Sequence, residues 1–312
     1  MTEATLIYNP NAGWLDLVTP RQLEKGLQEA GYAVEYRPTE KVEDLDAALA
    51  HPGEVVVVAG GDGTVRAAAL RLIDRQVSIA IVPMGTANNI ARTLGIEGSA
   101  LKVVAGLDKP RSYDFDVGCV EAPWGKDYFL ETFGLGFFAH AVACYGSQEE
   151  RTLPKAFWAV AEALVDYRTH ALRMTFDGQD LSGDYLIVNL FNTPLLGPRL
   201  ELIHQADPGD GALDLLCIGE TDRAVLLRSL TGLLSDGTEL PSEVNVRRGK
   251  RLQVAWDGFP VHVDAESRPQ DVVCPGEEGP EGWTLTVEVR SGALRFLLPR
   301  LEQGTDSQLS GG

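Results

Sequence analysis

The run Val55-Val56-Val57-Val58-Ala59-Gly60-Gly61-Asp62-Gly63-Thr64 decides the fold. Four consecutive β-branched residues without polar alternation belong to a strand covered on both faces, the habit of a parallel sheet with helices on each side. The glycines that follow end the strand, and an apolar-periodic segment from Thr64 to about Ile73 reads as the next helix. Upstream, Thr5 to Tyr8 is a strand. Thr19-Pro20-Arg21-Gln22 is a capping box with Pro at the first helical position, opening a helix that carries Leu23, Leu27 and Ala30 and stops at Gly31. Ala33 to Tyr36 is a strand, and Val42 to Ala50 is helical. Downstream, Ser78 to Val82 is a fourth strand and Ala87 to Leu94 a helix. Repeated alternation of strand and helix predicts a doubly wound α/β domain over residues 1–112.

Beyond Tyr113 the texture changes. Asp127 to Thr132, Tyr185 to Phe191, Leu213 to Ile218, Arg251 to Trp256, Val261 to Val263 and Thr284 to Val289 are short β-branched or aromatic runs parted by Gly, Pro and Asp. They predict an antiparallel β domain over 113–292. One helix interrupts it, from about Pro154 to Tyr167, with Phe157, Val160, Ala161 and Leu164 on a core-facing stripe. The small polar residues 303–312 read as a disordered tail. A length of 312 residues suits two domains at roughly 150 residues each.

Charge narrows the partners. Lys+Arg 27 against Asp+Glu 45 gives a net charge of −18, which repels phosphate backbones, so nucleic-acid binding is not expected. The N-terminus lacks a basic segment followed by an apolar run, and no stretch is long and apolar enough to span a bilayer. Cys119, Cys144, Cys217 and Cys274 form no Cys-x-x-Cys pair and read as buried thiols of a reducing cytoplasm.

The glycine- and asparagine-rich turns all fall at strand carboxyl ends. Asn9-Pro10-Asn11-Ala12-Gly13 follows the first strand, Thr39 the second, Gly60 to Thr64 the third, and Pro83-Met84-Gly85-Thr86-Ala87-Asn88-Asn89 the fourth. In an open α/β sheet that edge binds ligands, and a glycine turn entering a helix offers N–H groups to a phosphate. Asp62, an acid where phosphate is expected, implies a bridging cation such as Mg²⁺ bound with a nucleotide. Neither Gly-x-x-x-x-Gly-Lys-Ser/Thr nor a Gly-x-Gly-x-x-Gly after the first strand is present.

Asn9-Pro10-x-x-Gly13, Gly60-Gly61-Asp62-Gly63-Thr64, Pro83-x-Gly85-Thr86-x-Asn88, Asp210-Gly211-x-x-Asp214 and Asp264-x-Glu266, in this order, resemble the motif set of the diacylglycerol kinase catalytic domain family, in its bacterial lipid-kinase branch. The resemblance runs from about residue 5 to 298. Gly-Gly-Asp-Gly-Thr alone is shared with NAD kinases and 6-phosphofructokinases. What the resemblance implies is an ATP-binding domain to which the final strand, Ala293 to Leu298 within a returning segment 293–302, is added. A β-sandwich and an intervening lipid cleft complete it. ATP would be held by Asn9, Thr39, Gly60, Gly61, Asp62, Gly63, Thr64, Val65, Arg66, Gly85, Thr86 and Asn88. A structural Mg²⁺ would take the Asp210 carboxylate and the carbonyls of Asp207 and Ala212. Glu266 is the expected base toward the lipid hydroxyl, with Asp62 and Asp264 as the other catalytic acids.

Two departures from the family pattern stand out. Asn89 replaces the usual Asp, and Ala265 replaces the usual Gly. Read as one strand, Val261 to Glu266 sets His262, Asp264 and Glu266 on one face and Ala265 on the buried one. His140 and His262 receive no role. The expectation is a cytoplasmic, peripherally membrane-associated lipid kinase using ATP and Mg²⁺, its lipid met at the membrane surface and its oligomeric state open. A soluble-substrate kinase resembling NAD kinase, or a non-catalytic lipid- or nucleotide-binding protein favoured by Asn89, remains the alternative.

Overall fold

A computed structural model describes residues 1–10, 18–145, 163–196, 200–224, 227, 246–269 and 282–301. The chain divides into two compact units, Met1–Asp114 with Leu294–Gly312, and Phe115–Ala293.

The first unit contains β1 (Thr2–Tyr8), α1 (Pro20–Glu29), β2 (Tyr32–Pro38), α2 (Asp44–Ala48), β3 (Val55–Gly60), α3 (Asp62–Leu70), β4 (Ser78–Pro83), α4 (Asn89–Thr93) and α5 (Ala100–Ala105). Its strands are parallel in the order β2-β1-β3-β4. The order reverses between β1 and β3, so the loops leaving these two strands diverge and open a crevice, the place where such sheets bind ligands. Val55, Val56, Val57 and Val58 are buried, as a strand covered on both faces requires. The capping box forms: Thr19 Oγ1 accepts from Gln22 N, Gln22 Oε1 accepts from Thr19 N at 2.9 Å, and Leu23 and Leu27 are buried. Helix α3 begins at Asp62, two residues before its expected start at Thr64. Gly61 is the N-cap, so Asp62 and Gly63 lie in the first turn, where an acid is favoured by the helix dipole.

The second unit continues from β5 (Arg111–Ala122) through β6 (Gly125–Phe129), β7 (Thr132–Gly136), α6 (Phe137–Tyr145), β8 (His170–Leu172), β9 (Met174–Phe176), β10 (Gln179–Asp180) and β11 (Gly183–Tyr185). There follow β12 (Ile187–Phe191), β13 (Leu195–Leu196), β14 (Leu200–Glu201), β15 (Leu213–Ile218), β16 (Val246–Gly249), β17 (Arg251–Trp256), β18 (Val261–Val263), β19 (Glu266–Arg268) and β20 (Trp283–Leu298). One layer runs β16-β15-β12-β7-β18-β19, antiparallel throughout. The other pairs β9, β17 and the first half of β20. Phe129, Phe133, Leu190, Leu215, Val254 and Val287 belong to the core that the two layers bury. Arg295 and Phe296, late in β20, pair in parallel with Ser78 and Ile79 of β4 and extend the first unit's sheet.

One expectation fails here. Val261 to Glu266 is not a single strand: β18 ends at Val263, Asp264 and Ala265 turn, and β19 returns with Val263 opposite Glu266. Asp264 takes φ +51, a left-handed conformation that ends the strand. His262, Asp264 and Glu266 therefore do not share one strand face, and Ala265 is exposed rather than buried. Of the cysteines, Cys119 is buried and Cys217 half-buried. The Cys144 side chain, Cys274, the tail 303–312 and all but the end of the helix expected over 154–167 lie outside the described residues.

Candidate active site

At the carboxyl edge of the first unit's sheet, two glycine turns lie back to back. A Cβ on Gly85 would stand 2.6 Å from Gly61 Cα and 2.8 Å from Asn88 Oδ1, so only glycine permits this approach. The second turn is closed by its own asparagine: Gly85 N donates to Asn88 Oδ1 at 2.8 Å, and Asn88 Nδ2 returns to Gly85 O at 2.7 Å. From β1, Asn9 N donates to Ala59 O at 3.0 Å and Asn9 Nδ2 to Thr64 Oγ1 at 2.8 Å, fixing the Thr64 hydroxyl. Thr39, at the end of β2, is buried with its hydroxyl 3.4 Å from Tyr8 O. Val65 faces the core, and its N–H is spent on Gly61 O. Ahead of it, the N–H groups of Gly63 and Thr64 have no acceptor within the helix. Gly63 is exposed with no atom within 4 Å of where a Cβ would stand, and Thr86 is exposed.

Asp62 holds the two turns together. Its carboxylate accepts backbone N–H groups at the start of α4, from Asn88, Asn89 and Ile90, the last at 3.4 Å. Burial raises its pKa and these bonds oppose the rise. Asn89 is buried beside it.

In the second unit, the turn after β18 is held by the Asp264 carboxylate. It accepts Leu130 N at 3.1 Å, Glu131 N at 2.8 Å and Thr132 N at 3.1 Å, while Asp264 N donates to Thr132 O at 2.7 Å. His262, wholly buried, donates from Nδ1 to the Asp264 carbonyl at 3.0 Å and meets the Asn189 amide through Nε2 at 2.6 Å. Burial pushes its pKa down to about 4, so the ring is neutral at pH 7. Glu266, across the turn, is half-exposed. Its Oε2 accepts Arg268 Nη2 at 2.6 Å, and Arg268 Nε donates to Asp127 Oδ2 at 2.6 Å.

The Asp-Gly turn lies on the same unit. Gly211, at φ +75, donates its N–H to the buried Asp116 carboxylate at 2.6 Å, whose other oxygen accepts Gly292 N at 2.7 Å. Asn192 Nδ2 then bridges Asp116 O (2.9 Å) and Leu130 O (2.8 Å), so a hydrogen-bonded path leads from the Asp-Gly turn to the segment that Asp264 holds. Asp210 is ion-paired with Arg248 and accepts Ala212 N at 3.0 Å, and Asp210 N lies 3.4 Å from Asp207 O. Burial first, and then the Asp210 and Asp207 charges, raise the pKa of Asp116. Asp214 is raised to about 6, by burial first, with Arg248 opposing and Asp210 adding. Among the described residues no group of three or more His, Cys, Asp or Glu side chains is arranged to hold a metal. A cation here would rely on Asp210 and on carbonyls. The all-oxygen donors and the excess of carboxylates over the Arg248 guanidinium fit a hard ion.

Asp116, Asn192, Arg268 and Asp127 escape sequence reading. The signal for Asp116 was present, an acid inside the apolar run Phe115 to Val120. The others acquire partners only through folding.

The pattern described as Diacylglycerol kinase catalytic domain matches residues 3–120, and that described as YegS C-terminal NAD kinase beta sandwich-like domain matches residues 143–297. The chain is 30% identical over 281 residues, 87% of each sequence, to a Pseudomonas aeruginosa (strain UCBPP-PA14) protein described as "Probable lipid kinase YegS-like". The chain belongs to the diacylglycerol kinase catalytic domain family. It is a kinase of the YegS-like lipid-kinase branch. A diacylglycerol kinase of Staphylococcus carnosus is 26% identical over 276 residues, covering 84% of this chain and 88% of that one. The crystal structure of a diacylglycerol kinase from Bacillus anthracis shares the fold, with TM-score 0.70 and 22% identity over 96% of this chain and 98% of the other. An α/β domain followed by an antiparallel β-sandwich is thus the family architecture. Among the described residues no helix is long and apolar enough to cross a membrane.

Proposed function

We propose that this kinase transfers the γ-phosphoryl group of Mg²⁺-bound ATP to a hydroxyl of diacylglycerol or a similar lipid, which it meets at the membrane surface from the cytoplasm. The observation that carries the reading is the Gly61–Gly85 contact. It sets the exposed Gly63 and the unspent N–H groups of Gly63 and Thr64 at the crevice of the sheet, where a phosphate can be bound closely. Gly60, Gly61 and Gly85 shape the cradle, Asn9 orients Thr64, and we assign Thr39, Arg66, Thr86 and Asn88 to the same nucleotide. Bound with the nucleotide, Mg²⁺ neutralises phosphate charge. Asp62 positions the cradle by capping α4, and its carboxylate would be available to a nucleotide-bound cation.

On the acceptor side, Asp264 is committed to three backbone N–H groups, which makes it a positioning residue for the turn. Glu266 is the half-exposed carboxylate that the turn carries, and we assign it the proton of the lipid hydroxyl. A structural cation held by Asp210 with the carbonyls of Asp207 and Ala212 would stiffen the Asp-Gly turn. The names of the relatives support a lipid acceptor, and the −18 charge argues against a nucleic-acid one. The test is ADP release from ATP and Mg²⁺ over a panel of dispersed lipids, with NAD as the soluble control. Turnover with diacylglycerol or another lipid alcohol is expected; turnover with NAD alone would overturn the reading.

A further inference from the structure

The side chains around Glu266 carry a further assignment. Arg268 lies two residues along β19 from Glu266, with its side chain only 11% exposed. Each nitrogen of its guanidinium donates: Nη2 to Glu266 Oε2 at 2.6 Å, Nε to Asp127 Oδ2 at 2.6 Å and Nη1 to Ser267 O at 3.0 Å. Asp127 belongs to β6 and is itself mostly buried, so Arg268 is anchored to a separate strand and offers one edge of its fork to Glu266. An exposed glutamate on a short edge strand ordinarily samples several rotamers. This one is tied to a planar, buried cation.

We propose that Arg268, anchored by Asp127, is the positioning residue for Glu266, holding its carboxylate in one orientation. The proposal rests on the reading of Glu266 as the base toward the acceptor hydroxyl. A base must be oriented toward the proton it takes, and a guanidinium at hydrogen-bond distance from a carboxylate supplies that orientation. Desolvation pulls the Arg268 pKa down, yet the two carboxylates outweigh it and the net shift is upward, so the guanidinium is charged throughout the working range.

Among the described residues, β19 packs on β18 and α6. Their titratable side chains are His262, wholly buried and neutral, and His140, whose pKa is lowered by burial and then by His170. Asp264, in the intervening turn, is spent on backbone N–H groups, and Asp127 would repel Glu266 if Arg268 were lost.

The experiment compares Arg268→Gln, Arg268→Lys and Glu266→Gln in the full chain, recording kcat, the KM for ATP and the melting temperature. Arg268→Gln should lower kcat at least tenfold, the effect of a misplaced catalytic group. The KM for ATP should stay within about twofold, since the nucleotide cradle is built by other residues. Arg268→Lys keeps the charge without the fork, so its kcat should fall severalfold, less than in Arg268→Gln. If Arg268→Gln does not fold, Arg268→Lys decides, and wild-type kcat in that variant refutes the positioning role. Wild-type kcat in folded Arg268→Gln, with Glu266→Gln inactive, also overturns the role of Arg268 and leaves Glu266 as the base. Full activity in Glu266→Gln instead removes the underlying reading, and the proposal with it.

Discussion

Gly63→Ala separates ligand binding from folding at the proposed phosphate cradle. Gly63 is the second residue of α3, its φ is not among the left-handed ones, and no protein atom lies within 4 Å of an added Cβ. The fold therefore has no reason to resist the methyl group. Replacing a helical glycine by alanine stabilises by about 0.4–1 kcal/mol through the unfolded chain, which would raise the melting temperature by a few degrees at most. The added methyl group would tilt toward the N-terminus of α3, where a phosphate oxygen would approach the Gly63 and Thr64 N–H groups. Losing one such charge-assisted bond costs roughly 1.5–3 kcal/mol, so the KM for ATP should rise at least tenfold. Gly85→Ala is the contrast: its Cβ would lie 2.6 Å from Gly61 Cα, and such overpacking costs about 1–3 kcal/mol of stability as well as activity. Initial-rate kinetics against ATP and thermal melts of both variants check the argument. An unchanged KM for ATP in a folded Gly63→Ala enzyme would refute phosphate binding at the start of α3.

Three further outcomes follow from the second unit. Asp264→Asn sets an amide NH₂ against a backbone N–H of Leu130, Glu131 or Thr132; at about 1–3 kcal/mol for a buried unsatisfied donor, its melting temperature should fall clearly, whereas wild-type melting would show that the carboxylate does not hold the turn. Mg²⁺ without nucleotide should raise the melting temperature of wild type and do so much less for Asp210→Ala; equal shifts would remove the cation site from the Asp-Gly turn. Asp214, raised by burial from 3.8 to about 6, binds its proton more tightly folded than unfolded, so its contribution is full below the unfolded value and is lost as pH rises through the folded one. Measured by denaturant unfolding without Mg²⁺, Asp214→Asn should gain on wild type by roughly 1 kcal/mol between about pH 5 and pH 7, and a pH-independent difference would contradict the buried ionisation.

Much of the first unit was legible because its signals are local. Val55 to Val58 needs no partner to read as a doubly covered strand, and Thr19-Pro20-Arg21-Gln22 builds its cap within four residues. The start of α3 was misplaced because Gly61-Asp62-Gly63 reads as a turn, although an acid at the first helical position suits the dipole. The turn at Asp264 was hidden for a different reason. His262, Asp264 and Glu266 alternate like a strand, and the left-handed φ is stabilised by backbone groups of Leu130 to Thr132, more than 130 residues away in sequence. The Arg268–Asp127 pair is equally remote in sequence. The candidate residues of each unit were therefore found by motif. The partners that orient them, Asn9 excepted, emerged only from the fold.

The most direct test of the account is transfer of label from γ-labelled ATP into dispersed diacylglycerol, with the lipid phase extracted and counted in the presence and absence of Mg²⁺. The account predicts label in the lipid phase that requires Mg²⁺, falls about 10²–10⁴-fold in Glu266→Gln as a lost general base would dictate, and is absent from NAD. Label in NAD and none in any lipid, or lipid labelling untouched in Glu266→Gln, would contradict it.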